Sequence, residues 1–332
     1  MVYIYKKLIA GKPYYYLRAS ERKGKKIMVK DIAYLGNSLE DVKKFLGSST
    51  KYKEKIRKAY KTIHNFIESN HYAEKVESLK LKKDIFLDKN LVEVEACRLH
   101  YTQVFQKDDE LTKNEIFKNF VIEFAFNTTS IEGNTINLKE ARNLLGEGIA
   151  PKNKTLREIY DLQNTEKVFF DLLKSNDALT NEQIVKIHSG LMENMDFRIG
   201  YRTTDVRVIK ANFKSTPAPY VLTDMNLLLK WHDQNKNKLH PFVLAVVFHH
   251  KFEKIHPFMD GNGRTGRMLL NCILMKNNYP PMIFHKKARS DYLDALRQAD
   301  KSNLTKAEKE NYFQLVQFSA GQLAESYWSI FL

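Results

Sequence analysis

A mainly α-helical chain is predicted, with a short, basic, β-containing segment at its N-terminus. Three observations carry that expectation. From about residue 90 onward, apolar side chains recur at a spacing of about 3.6 residues in one stretch after another. Short β-prone runs, rich in tyrosine and divided by glycine and lysine turns, are confined to residues 1–36. A chain of 332 residues with 43% hydrophobic and 12% aromatic side chains can bury a core, which excludes disorder. At roughly 150 residues per domain, the length suggests two domains, or one large domain with an appendage.

The elements follow in order. Val2–Tyr5, Tyr14–Leu17 and Ile27–Leu35 predict a three-stranded antiparallel meander, with Gly11-Lys12-Pro13 and Arg22–Lys25 as its turns and Gly36 as its end. Asn37-Ser38 caps a short helix, Leu39–Leu46. Ile56, Tyr60, Ile63, Phe66 and Ile67 place a helix within the Lys- and Glu-rich stretch 51–79. Further helices are expected at Glu115–Thr128, Leu138–Leu145, Lys154–Lys174, Asn181–Met192, Thr223–Asn235, Pro241–Lys254, Gly266–Lys276, Arg289–Lys301 and Lys306–Tyr327. Gly200–Pro219 interrupts them: Val206–Ile209 reads as extended, and Pro217 and Pro219 forbid a helix. The organisation expected is a basic β-rich segment over 1–50, a helical connector over 51–105 and the main domain over 106–332.

Composition bounds the function classes. The longest apolar run, Phe242–Phe248, is far short of the ~20 residues of a bilayer span, and Lys6 and Lys7 break any apolar leader. Cys97 and Cys272 fit neither a disulfide framework nor a zinc spacing, so a cytoplasmic protein with reduced thiols is expected. The net charge is +15, and residues 1–90, with 22 basic and 10 acidic side chains, hold +12 of it. That excess reads as a solvated lysine-rich surface or as an attractor of polyanions.

The chemistry concentrates in residues 256–267, His-Pro-Phe-Met-Asp-Gly-Asn-Gly-Arg-Thr-Gly-Arg. Gly261, Asn262 and Gly263 tolerate positive φ and precede an apolar helical run, an arrangement that aims backbone N–H groups at an anion. Arg264 and Arg267, three apart, can reach the same anion. Asp260 is a hard oxygen ligand suited to Mg²⁺ beside phosphates. His256, at the mouth of the loop, can take a proton from a hydroxyl.

Gly261-x-Gly263-x-x-Gly266 formally matches the dinucleotide fingerprint. The segment before it has helical character, however, and no second strand with an acidic end follows. No Gly-x-x-x-x-Gly-Lys-Ser/Thr occurs. His249 and His250 are adjacent and point to different helix faces, so they read as packed histidines rather than zinc ligands.

The stretch His256–Arg267 resembles, over its whole length, the motif His-Pro-Phe-x-(Asp/Glu)-Gly-Asn-Gly-Arg-x-x-Arg of the Fic-domain family. Gly200-Tyr201-Arg202 followed by Val206–Ile209 resembles the family's β-hairpin flap, and Arg289–Leu296 its pocket-closing helix. The likeness spans about residues 106–325. It implies a Fic-type helical bundle with a small hairpin flap, and transfer of AMP from ATP to a Ser, Thr or Tyr hydroxyl of a protein, or of the chain itself.

Carried over by position, the resemblance makes His256 the base and Asp260 the Mg²⁺ ligand. It makes Gly261, Asn262 and Gly263 the anion hole, Arg264 the holder of the phosphates and Arg267 the partner of the γ-phosphate. Thr265, Gly266, Tyr292 and Asp300 join the nucleotide site, Phe258 pins the loop, and Val208, Ile209, Lys210 and Ala211 align the target.

Thr128-Thr-Ser-Ile-Glu132-Gly133-Asn134 is similar to the family's inhibitory signature. It implies that Glu132, with Asn134 beside it, pairs with Arg267, lies in the nucleotide site and restrains the enzyme. The same glutamate leaves a second reaction open, removal of AMP from a modified protein. For the N-terminal segment, tyrosines among basic residues fit nucleic-acid binding, partner docking or a cap on the helical bundle.

Overall fold

The computed structural model describes residues 2–24, 26–175, 177–206 and 214–332. The chain divides into two compact units, one ending at Leu81 and one spanning Lys82–Phe331.

In the first unit, β1 (Val2–Ile9), β2 (Lys12–Lys23) and β3 (Lys26–Gly36) form an antiparallel sheet in the order β1-β2-β3. Ala10 and Gly11 both take positive φ, +48° and +78°, which suits the tight turn between β1 and β2. Ile4, Tyr15, Leu17 and Leu35 point to one face. There they meet Leu39 and Val42 of α1 (Leu39–Ser48) and Ile63 and Ile67 of α3 (Tyr60–Ser78). Ser38 caps α1, accepting from the Asp41 N–H at 3.1 Å. The stretch read as one helix over 51–79 is broken at Ala59, and the short α2 (Lys53–Lys58) before the break buries no side chain.

Among its described residues, the regular elements of the second unit are all helices. Its elements are α4 (Leu91–Gln103), α5 (Glu110–Ile131), α6 (Leu138–Glu147), α7 (Leu156–Lys174), α8 (Asn181–Leu191) and α9 (Val221–Asn235). α10 (Pro241–Ile255), α11 (Asn262–Lys276), α12 (Arg289–Ala299) and α13 (Lys309–Ile330) complete it. Asp109 caps α5, and reciprocal capping boxes start α6 (Asn137 with Glu140) and α7 (Thr155 with Glu158).

The fold is organised around α10. Every residue from Phe242 to Phe252 is buried, and the helix packs on α9, α11 and α13. A helix rather than a strand therefore feeds the glycine loop, which removes the dinucleotide-fold reading. The expected flap residues Val208, Ile209, Lys210 and Ala211 lie outside the described residues. Among the described residues no helix is long and apolar enough to cross a membrane.

Candidate active site

α10 ends at His256, whose φ of +55° and ψ of 60° turn the chain into the left-handed region and out of the helix. That conformation is locked from outside. Arg202, whose side chain is fully buried, donates through Nε to the His256 carbonyl at 2.8 Å, and its own N–H bonds the Pro257 carbonyl at 2.9 Å. The imidazole Nδ1 lies 3.2 Å from the Glu253 carbonyl. A carbonyl can only accept, so Nδ1 carries the proton and Nε2 presents its lone pair. Burial lowers the His256 pKa below its ordinary value, so the ring is neutral at neutral pH.

The loop that follows is held closed by its own residues. Phe258 is buried and its ring stacks on His188 with centroids 3.6 Å apart, while its backbone N–H and carbonyl are both taken by the Asn262 side chain, at 2.9 and 2.8 Å. His188 in turn bonds the Asp260 carbonyl at 3.0 Å; burial pulls its pKa down to about 4, so it acts as a neutral donor. Gly261 takes φ +73° and lets α11 begin at Asn262, four residues ahead of the expected start at Gly266. The first-turn N–H groups of α11 thus open onto the loop's concave side.

Gly263 leaves room for Glu132, whose Oε1 a Cβ there would overlap. Gly266 leaves room for α10, since a Cβ would stand 2.5 Å from Glu253 Oε1 and 2.8 Å from His249 Nδ1. Thr265 is buried, with its hydroxyl on the Gly261 carbonyl at 2.9 Å.

Both motif arginines are engaged by protein groups. Arg267 donates through Nη2 to Glu132 Oε1 at 2.6 Å and to the Thr128 carbonyl at 3.0 Å, and through Nε to Thr128 Oγ1 at 2.7 Å. Arg264 pairs with Asp161, and its Nη2 lies 3.3 Å from Met192 Sδ. Glu132 caps the end of α5, where Gly133 (φ +109°) reverses the chain. Asn134 then donates to the Glu158 carbonyl at 3.0 Å and to Asp161 at 3.3 Å. The segment 128–134 therefore reaches Arg267 directly and Arg264 through Asp161.

Asp260 places Oδ1 on the Gly261 N–H at 2.6 Å and pairs Oδ2 with Arg157. Among the described residues no cluster of three or more His, Cys, Asp or Glu forms a metal cage. A single, partly exposed carboxylate beside a phosphate cradle fits Mg²⁺ all the same, because this ion takes one or two carboxylates and fills its shell with substrate oxygens and water.

Two further candidates sit deeper. Tyr292 is 2% exposed, its hydroxyl 2.7 Å from His249 Nε2, and its ring packs on Phe284 with centroids 4.6 Å apart. The Asp300 carboxylate meets His250 Nε2 at 3.1 Å in a buried cluster with Tyr312 and Ser302. His249 and His250 are packed histidines with tyrosine partners.

Arg157, Asp161, His188 and Glu253 carried no sequence signal. Each comes from a helix remote from the motif or reads as an ordinary polar position. Burial pushes the Glu253 carboxyl up to about 8, beside Arg267.

Residues 178–274 match the Fic/DOC family. Protein adenylyltransferase fic-1 of Caenorhabditis elegans is 29% identical over 187 residues, covering 54% of this chain and 37% of that protein. Protein adenylyltransferase Fic of Aedes aegypti is 32% identical over 205 residues, 59% of this chain and 40% of that protein. The chain thus spans less than half the length of these relatives. A solved fragment of Fic-1 from C. elegans superposes with a TM-score of 0.62 at 26% identity, covering 72% of this chain and 70% of that one. A Fic domain containing signaling protein from Bacteroides thetaiotaomicron shares the fold at a TM-score of 0.64 and 23% identity, over 69% of this chain and 93% of that one. The helical bundle, the glycine loop between α10 and α11 and these matches together liken residues 178–274 to a domain of the Fic/DOC family.

Proposed function

We propose that this chain is a self-inhibited protein adenylyltransferase, moving AMP from ATP to a Ser, Thr or Tyr hydroxyl of a protein. The observation that carries the reading is the pairing of an imidazole nitrogen, His256 Nε2, without a hydrogen bond among the described residues, with a helix N-terminus flanked by Arg264 and Arg267.

In the proposed reaction the hydroxyl oxygen attacks the α-phosphorus, its proton passes to His256 Nε2, and the bond to the pyrophosphate oxygen breaks. The N–H groups of Asn262, Gly263 and Arg264 receive phosphate charge, and the arginines hold the chain of phosphates in line. Mg²⁺ held by Asp260 would supply further charge neutralisation. Thr265 and Gly266 support the loop from behind, as do Tyr292 and Asp300, through His249 and His250. The flap residues Val208–Ala211 would align the target backbone. The proposal places the reaction in the cytosol, where buried thiols such as Cys97 and Cys272 stay reduced.

The inhibition follows from the Glu132–Arg267 pair at 2.6 Å. While it holds, Arg267 is withheld from the γ-phosphate, and ATP sits in an unreactive pose. A second reading, hydrolytic removal of AMP, is favoured by one detail. Glu132 is partly exposed, and its Oε2 carries no hydrogen bond among the described residues, so it can orient a water.

The test is Mg²⁺-dependent labelling from ATP carrying a radiolabelled α-phosphate. Glu132→Gly is expected to raise protein labelling on the order of tenfold or more, equivalent to about 1.4 kcal/mol. Adding His256→Ala should lower it again by ~10²–10⁴-fold, with nucleotide still bound. Nucleotide binding with no labelling in any variant would sink the transferase reading, and release of AMP from a pre-labelled protein would establish hydrolysis.

A further inference from the structure

The sheet of the first unit has two unlike faces. One is closed by α1 and α3 over Ile4, Tyr15, Leu17 and Leu35. The other carries Tyr3, Tyr5, Tyr14, Tyr16, Arg18 and Tyr34, none of them buried. Strand pairing sets Tyr5 and Tyr34 on either side of Tyr16, and Arg18 opposite Tyr3. The Tyr16 and Tyr34 rings lie 5.4 Å apart and those of Tyr14 and Tyr34 6.4 Å apart, while the Arg18 guanidinium stands 3.5 Å over the Tyr5 ring. Tyr34 is 50% exposed.

The charge around this face is one-sided. Residues up to Leu81 hold 19 basic and 8 acidic side chains, a net of +11 out of the chain's +15. Lys7 and Lys12 are exposed on the tyrosine face, Lys26 and Lys30 are exposed on the other side of β3, and the Asp31 carboxylate beside the tyrosines is taken by Arg18 at 2.6 Å.

We propose that this face binds single-stranded nucleic acid, with bases stacked on the tyrosines and phosphates met by the flanking lysines. Strands ~4.8 Å apart place a row of rings at a spacing that successive unstacked bases can match, and every base has a face to stack. A duplex hides those faces, so single strands are selected. A protein partner would need acidic groups against the lysines, whereas exposed, mutually tilted tyrosine rings can each take the face of a splayed base.

The test is fluorescence anisotropy of the full chain with labelled oligo(dT) and oligo(U) of about 12 nucleotides, a length within one small domain's reach, and with a duplex of equal length. Saturable binding tighter for single strands is expected. Tyr16→Ala/Tyr34→Ala should weaken it on the order of tenfold or more, since each stacked base is worth ~1–3 kcal/mol. Tyr16→Phe/Tyr34→Phe should retain it. Lys7→Gln/Lys12→Gln should weaken it and flatten the salt dependence.

Absence of saturable binding would overturn the proposal. So would equal affinity for the duplex together with indifference to the alanine pair, the signature of bare charge attraction. Should the alanine pair unfold the sheet, photocrosslinking of the unaltered chain to an oligonucleotide carrying iodouracil decides the matter. Crosslinks on the sheet tyrosines support the proposal, and crosslinks confined elsewhere overturn it.

Discussion

The left-handed backbone at His256 is unusual for a histidine, and its cause lies in its neighbours. Arg202 spends its buried guanidinium on the carbonyls of Ile255, His256, Thr204 and Thr216, which fixes the peptide on which the imidazole is mounted. Burial then lowers the ring's pKa below 6.5. The sign is direct: as the proposed base, His256 is competent when neutral, so the rate should fall as pH drops through the lowered pKa. In a Glu132→Gly background, kcat/KM for labelling is expected to show an acidic limb with its midpoint below 6.5. A midpoint of 7 or above would remove His256 from that role or place a carboxylate against it. The twelve-residue stretch was legible because its members adjoin in sequence. Asp161, Arg157 and His188 were not, because their relevance exists only once α7 and α8 are folded against the loop.

At the scale of elements, most helices announced themselves by an apolar stripe, and α1 also by its cap at Ser38; the caps Thr155 and Thr180 of α7 and α8 emerge only in the structure. α4 did not, because Glu95 and His100 are polar residues on its buried side. Glu95 explains itself in the fold. Burial alone would raise its pKa, but hydrogen bonds from His240 and Tyr279, with Arg98 nearby, hold it down to about 2. The cluster ties α4 to the residue that caps α10. Since the folded pKa is depressed from 4.5, the stability this group adds is complete above 4.5 and is lost as pH falls towards 2. Thermal unfolding followed by circular dichroism should therefore show a Tm that drops between pH 5 and 3. Glu95→Gln is expected to have a lower Tm at pH 7 and a shallower acid slope. An unchanged slope would show that other carboxylates set the acid limit.

At the scale of the whole molecule, the division after Leu81 was not legible. Lys- and Glu-rich composition runs without a break from α2 to residue 83, and only the packing of Ile63 and Ile67 assigns α3 to the sheet. Residues 77–83 are exposed in succession and include Lys80, Lys82 and Lys83. Limited trypsin digestion of the full chain is expected to cut there first, giving a large fragment that begins just after Lys83. First cuts inside α10 or α11 would contradict the packing described.

The grip of segment 128–134 on both motif arginines has a thermodynamic corollary. Arg267 is held directly and Arg264 through Asp161 and Asn134, so a triphosphate that recruits both guanidinium groups competes with the whole turn. Binding equilibria coupled in this way are reciprocal. On the proposed inhibition, anything that loosens the turn favours the reactive pose of the triphosphate over the unreactive one, and a triphosphate in the reactive pose must loosen the turn to the same degree. Backbone amides at the end of α5 should then exchange hydrogen faster when ATP takes the reactive pose, the reverse of the protection a ligand usually confers. Slower exchange with ATP would mean that triphosphate and turn occupy the site together, as in the unreactive pose.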